Sequence, residues 1–247
     1  MLLRFTKMHG LGNDFMMVDL ISQPVTLNPE LIKELSDRRF GIGFDQLLTV
    51  RPPAKPDSDF RYTIYNADGS EAEQCGNGAR CFLGFVRDEG LTTKSTIRLE
   101  TSNGNITCKL GKDGNVTVDM GKPALQPGKV PFVADSPQIN YQLSLGPEYP
   151  DTFSISALNV GNPHAVITVP AVDSAPVLEV GPLVERHPRF PEGVNVGFME
   201  IVSRKKIMLR VFERGVGETK ACGSGACAAV VAGRLQGVLD DTVDVEL

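Results

Sequence analysis

The chain has 247 residues, a formal net charge of −5 and a pI near 5.3, which exclude the basic face that a nucleic-acid footprint requires. No 18 apolar residues run together and residues 1–9 carry no sustained apolar stretch, so neither a membrane span nor a signal peptide is expected. Five cysteines without framework spacing fit a reducing cytoplasm better than a secreted disulfide scaffold.

The first element is an apolar stretch over 15–19, entered through the turn Gly10-Leu-Gly-Asn-Asp14. Asn28-Pro29-Glu30 follows as a helix start: a capping Asn, a proline at the first helical position and an acid in the first turn. Leu31, Ile32 and Leu35 give that helix one apolar side, and Gly41 is expected to end it. Residues 46–50 and 60–65 read as strands separated by the proline-rich turn 51–56. After Gly78, residues 79–87 are apolar almost all round, as in a helix buried on every side. Strands are expected at 96–100, 105–110 and 115–119. Six prolines punctuate 121–150, where the chain is expected to cross into a second domain. Residues 226–233 repeat the apolar helix in still less polar form, and the short basic run Arg204-Lys205-Lys206 reads as a solvated strand end. A helix among many short strands implies a curled, mostly antiparallel sheet or barrel around it, an α+β fold.

These elements occur twice. Cys75-Gly-Asn-Gly-Ala-Arg-Cys81 returns as Cys222-Gly-Ser-Gly-Ala-Cys227, 147 residues later. Asn13 and Asn162 lie 149 apart, as do Gln46 and Asn195, whereas Asn66 and Glu213 keep the step of 147. Phe40 after Arg39 is matched by Phe190 after Arg189. The chain therefore reads as a duplicated unit: 1–121 with Cys75, a crossover over 122–152, and 153–247 with Cys222. Residues 242–247 match 96–101, after which the first copy continues for two more strands. The second copy is therefore expected to lack a C-terminal hairpin, by truncation or lack of order, which leaves a sheet edge.

A cysteine at a helix start meets backbone N–H groups without helical partners and the positive end of the dipole, both of which favour thiolate. Glycines at 76, 78, 223 and 225 let the backbone approach a ligand closely, and helix-start N–H groups suit a carboxylate. Two such starts facing one another across a shared cleft would set one thiol on each face of the carbon that bears the carboxylate. One thiolate could then remove a proton while the other thiol delivers one, which inverts the carbon. Oxyanion stabilisation and exclusion of water would supply the rest of the rate.

The stretch Asn66-Ala-Asp-Gly-Ser-Glu-Ala-Glu-Gln-Cys75-Gly76-Asn77-Gly78-Ala-Arg80 resembles the signature of the diaminopimelate epimerase family. His9-Gly-Leu-Gly-Asn13-Asp14-Phe15, Gly161-Asn162-Pro163-His164-Ala165 and Glu213-Arg214-Gly215 resemble it too, in the family's order along essentially the whole chain. The resemblance implies that Cys75 and Cys222 are the acid/base pair and that His164 and Glu213 help set their protonation. It implies that the backbone at Gly76, Asn77, Gly223 and Ser224 holds the reacting carboxylate. Asn13, Gln46, Asn66, Asn162, Asn195 and Arg214 would bind the rest of a small amino-acid substrate. The implied reaction interconverts LL- and meso-2,6-diaminopimelate for lysine and cell-wall synthesis, without pyridoxal phosphate or metal. A cytoplasmic homodimer with no nucleic-acid or membrane partner is the implied setting.

Other readings exist for the same residues. Zinc is disfavoured, because the cysteine pairs are C-x5-C and C-x4-C and three scattered histidines complete no usual ligand set. Cys81, Cys108 and Cys227 read as structural. A proline or hydroxyproline racemase shares the two-cysteine plan, but the extended polar set suits a substrate with a second charged end. A thiol redox sensor would need neither the glycines nor that polar set. A binding module that keeps the fold without catalysis would not need both cysteines. His164 is matched by Phe15 in the first copy, so its role rests on the resemblance alone. Lys220 lacks a phosphate cradle and reads as solvated rather than as a Schiff-base lysine.

Overall fold

The computed structural model describes residues 2–72, 75–102, 104–147, 149 and 152–247. They form two compact units, Met1–Met120 and Gly121–Leu247.

The first unit contains β1 (Thr6–Gly10), β2 (Asn13–Asp19), α1 (Pro29–Ser36), β3 (Gln46–Arg51), β4 (Phe60–Asn66) and β5 (Glu71–Ala72). It continues through α2 (Gly76–Asp88), β6 (Thr96–Thr101), β7 (Gly104–Leu110) and β8 (Val116–Asp119). Its strands are ordered β1-β2-β3-β4-β6-β7-β8, with β5 beside β4. Helix α2 touches β1, β2 and β3 as well as β7 and β8, so strands from both ends of the sheet reach it and the sheet curls around the helix. The sheet's two faces have separate cores. Phe15 and Met17 join Leu48, Tyr62, Phe82 and Val86 around α2, while Met16 and Val18 pack with Ile32, Phe44 and Leu47 under α1. A strand buried on both faces has to be continuously apolar, which is why 15–18 shows no alternation.

Asn28 caps α1 by accepting from Leu31 N at 2.8 Å, as its sequence implies. The helix ends at Ser36, before the expected Gly41. The Asp37 carboxylate accepts from Arg39 N and Phe40 N at 2.7 Å each, and this turn competes with further helix. Gly41 packs against the helix end instead: a Cβ there would lie 2.3 Å from Glu34 O.

The second unit opens with a 3-10 turn (Pro127–Lys129) and contains β9 (Tyr141–Ser144), β10 (Thr152–Asn159), β11 (Pro163–Val169), α3 (Val177–Glu185) and β12 (Asn195–Ser203). It closes with β13 (Lys206–Glu213), β14 (Gly217–Thr219), α4 (Gly223–Leu235) and β15 (Asp244–Glu246). Its order is β14-β13-β12-β11-β10-β9, with β15 beside β13. Helix α4 packs on β10 to β13, with Ala228, Ala229 and Ala232 buried against Met199, Leu209 and Val211. Val180 and Val184 of α3 cover the core that holds Val196 and Phe198.

The two units repeat one another in register. Parallel pairing of Phe15 with Gln46 is matched by His164 with Asn195, and Ile64 with Ala72 by Val211 with Thr219. Helices α2 and α4 are both 13 residues long, and each starts one residue after a cysteine. One matched pair diverges: Phe190 is buried in the second core, whereas Phe40 is 94% exposed.

Candidate active site

In the first unit Cys75 is the N-cap of α2. Its backbone is extended (φ −140°, ψ 110°), and its Sγ accepts from Gly78 N at 3.3 Å. The thiol thus does what a serine or aspartate oxygen does at most helix starts. A Cβ at position 78 would lie 2.5 Å from the Tyr62 hydroxyl and 2.9 Å from Leu48 Cδ2, so glycine is needed for the turn to close. The buried Tyr62 hydroxyl donates to Cys75 O at 3.1 Å, and burial pushes its pKa well above the ordinary phenol range, so it stays protonated.

Asn13 reaches the same sulfur from the sheet. The residues before it, Leu11 and Gly12, both have positive φ (55° and 87°), a two-residue hairpin turn that sets Asn13 at the head of β2. The Cys75 thiol donates to Asn13 Oδ1 at 3.6 Å. The Asn13 amide nitrogen donates to Asp45 Oδ2 at 3.1 Å. Further along the strand ends, Gln46 donates to Asn66 Oδ1 and Asn66 to Ser70 Oγ, both at 3.1 Å. Asn77 is buried, and its side-chain oxygen accepts from the Arg80 guanidinium.

In the second unit Cys222 caps α4 in the same way: φ −126°, ψ 103°, with Sγ accepting from Gly225 N at 3.4 Å. Ser224 Oγ lies 3.5 Å from that sulfur. The Asn195 side chain ties two loops, donating to Pro163 O and accepting from Arg214 N at 3.0 Å each. The Arg214 guanidinium donates to Glu192 O at 3.0 Å. The buried Glu185 carboxylate accepts from Gly215 N at 2.7 Å. Glu213 accepts from the Thr219 hydroxyl across the β13–β14 hairpin.

His164 occupies the β11 position that Phe15 fills in β2, and it is just as buried. Its Nε2 lies 2.9 Å from Asn162 Oδ1, while Nδ1 meets no hydrogen-bond partner among the described residues. Burial, with Arg214 adding a smaller repulsion, lowers its pKa to about 3. The ring is therefore neutral, with its proton on Nε2 facing the Asn162 oxygen. The bare Nδ1 is then a buried acceptor, which is less costly than a buried orphan donor.

The other thiols differ. Burial pushes Cys108 up to about 12 and raises Cys81 and Cys227 as well. Among the described residues, no three His, Cys, Asp or Glu side chains cluster so as to hold a metal ion. Asp45, Arg38, Tyr62 and Glu185 are site-bordering residues that the sequence did not single out. Asp45 could have been found by its place: it immediately precedes Gln46, as Asp14 immediately follows Asn13.

The fold defines the class. The chain superposes on a hydroxyproline epimerase from Agrobacterium vitis, crystallised with trans-4-hydroxy-L-proline, with a TM-score of 0.70 at 14% identity. That match covers 96% of this chain and 78% of the other. A predicted epimerase from Pseudomonas aeruginosa gives a TM-score of 0.60 at 14% identity over 96% and 83%. At such identities the likeness is one of fold. The sequence narrows it. The family profile described as diaminopimelate epimerase matches residues 5–126 and 156–247. The diaminopimelate epimerase of Thioalkalivibrio sulfidiphilus is 57% identical over 248 residues, spanning all of this chain and 88% of that protein. That of Ectopseudomonas mendocina is 57% identical over 247 residues, with the same coverage. The chain belongs to the diaminopimelate epimerase family, which is a family of isomerases.

Proposed function

We propose that the chain interconverts LL- and meso-2,6-diaminopimelate by a two-base mechanism in which Cys75 and Cys222 act on opposite faces of one α-carbon. The observation that carries this reading is the repeated helix start. In each unit a cysteine sulfur caps a 13-residue helix and accepts from the glycine N–H three residues on. A thiol so placed has backbone N–H groups beside it that favour negative charge, both on the sulfur and on a carboxylate bound at Gly76-Asn77 or Gly223-Ser224.

One thiolate removes the α-proton as the opposite thiol delivers its own, and the reverse reaction exchanges the roles. His164 and Glu213 assist the protonation of the thiols. Asn13, Gln46, Asn66, Asn162, Asn195 and Arg214 hold the polar groups of the substrate, including the amino-acid end that does not react. The chemistry calls for no pyridoxal phosphate and no metal. A cytoplasmic homodimer is the proposed setting, and no helix among the described residues is long and apolar enough to cross a membrane.

The test is incubation of the reduced enzyme with LL-diaminopimelate in D2O, following loss of the α-proton signal and appearance of the meso form. Exchange with inversion is expected in the wild type, reduced at least ~10²-fold in both Cys75→Ser and Cys222→Ser. Undiminished turnover in either variant would sink the two-thiol mechanism. Inactivity of a wild type whose thiols titrate as free would redirect the search to proline-type substrates.

A further inference from the structure

We infer that Asp45 is a positioning residue for Cys75: its carboxylate fixes the Asn13 amide so that the oxygen, and not the nitrogen, faces the sulfur. The inference rests on the reading of Cys75 as an acid/base residue, and it adds how that thiol's protonation is set.

The side-chain amide of an asparagine can point either way, and its neighbours decide. A carboxylate only accepts. Asp45 Oδ2 lies 3.1 Å from Asn13 Nδ2, so a flipped amide would set two oxygens against each other at that distance. Asp45 is itself held at both carboxylate oxygens. Its Oδ2 also accepts from Asp14 N at 3.0 Å, and its Oδ1 accepts from Arg38 at 2.7 Å. Arg38 forks onto Asp14 at 2.8 and 3.2 Å, and Asp14 takes a further bond from Lys7 at 2.7 Å. The amide therefore has one orientation, and Asn13 Oδ1 faces Cys75 Sγ at 3.6 Å.

An oxygen in that place accepts a proton from a thiol and repels a thiolate; an amide N–H would do the reverse. Asp45 thus favours the protonated form of Cys75 in the absence of substrate, against the pull of the helix start. The Tyr62 hydroxyl on β4 is engaged with Cys75 O, the Arg80 guanidinium on α2 with Asn77, and Lys7 on β1 with Asp14 and Gly43 O. In the second unit the equivalent Asn162 is anchored by the opposite end, its oxygen taken by His164 Nε2 at 2.9 Å.

The test needs no substrate. Alkylation of Cys75 by iodoacetamide is followed by peptide mass spectrometry from pH 6 to 10 in the full chain, in Asp45→Asn, in Asn13→Ala and in the double variant. Asp45→Asn frees the amide to turn, and Cys75 is expected to react about tenfold faster at pH 7, with its profile moved to lower pH. In the Asn13→Ala background the same change is expected to do nothing, because Asp45 acts through that amide. A profile unmoved by Asp45→Asn overturns the inference. So does an equal shift with and without Asn13, which would mark a bare charge effect. Continued protection of Cys81 and Cys108 reports that the unit stays folded. If Asp45→Asn exposes them, Asp45→Ser replaces it, and an unmoved profile or an equal shift again overturns the inference. Failure of the epimerase reading would show in the D2O experiment and leave these alkylation rates untouched.

Discussion

A sulfur atom serving as a helix cap is the feature on which the site turns, and it leaves little room around it. Gly78 is the tightest point, since the missing Cβ would overlap the Tyr62 hydroxyl and Leu48. Gly78→Ala is expected to lower stability by about 1–3 kcal/mol, read as a lower urea midpoint at unchanged slope. Gly225→Ala meets Val211 at 3.1 Å and the Cys222 sulfur at 3.2 Å, so it should cost less stability yet displace the thiol directly. Comparing the urea midpoint with the rate of Cys222 alkylation in the two variants separates these effects. At this scale the sequence was informative about the cysteines and their glycines, because a cap and its turn are local. It was silent about Tyr62, which bonds the Cys75 carbonyl from a distant strand, and about Asp45, which acts through Asn13; neither carries a local signal.

Among the elements, the β1–β2 hairpin shows how strain can serve position. Leu11 is 59% exposed and sits at φ 55°, a conformation that asparagine tolerates better than leucine. Leu11→Asn is expected to raise stability by about 1 kcal/mol, measured as an increase in Tm, with the Asn13 contacts retained. Strand positions were legible wherever apolar residues ran together, as in β2, and the N-cap of α1 was legible from Asn28-Pro29. The end of α1 was not, because Asp37 stops the helix with a side-chain turn ahead of the glycine. His164 illustrates a different limit. The repeat pairs it with Phe15, which says nothing of chemistry but does forecast a buried slot, and that slot is what neutralises the ring.

At the scale of the molecule, these buried groups set how the fold responds to acid. His164 has a folded pKa of about 3 against an ordinary value of 6.5, so below pH 6.5 the unfolded chain takes up a proton that the folded chain refuses. Its contribution is complete above pH 6.5 and is lost as pH falls towards 3, by at most about 1.4 kcal/mol per pH unit. Asp14 opposes acid later. Burial pushes it up, but bonds from Arg38 and Lys7 outweigh that and hold it far below 3.8, so its contribution is present above 3.8 and fades beneath it. Tm is therefore expected to decline from pH 6.5 downwards, and His164→Phe, which restores the residue of the matched position, should flatten that decline between pH 6 and 4. An unchanged slope in the variant would remove His164 as the cause. The unlike anchoring of Asn13 and Asn162 has a consequence of another kind. The equilibrium between two stereoisomers belongs to the substrate, so whatever bias the duplicated scaffold gives one thiol over its twin must cancel from the ratio of kcat/KM in the two directions. Under the proposed two-thiol mechanism, divergence between the halves is then free to decide which proton form waits for which isomer, and so which isomer saturates the enzyme first, without altering where the reaction comes to rest.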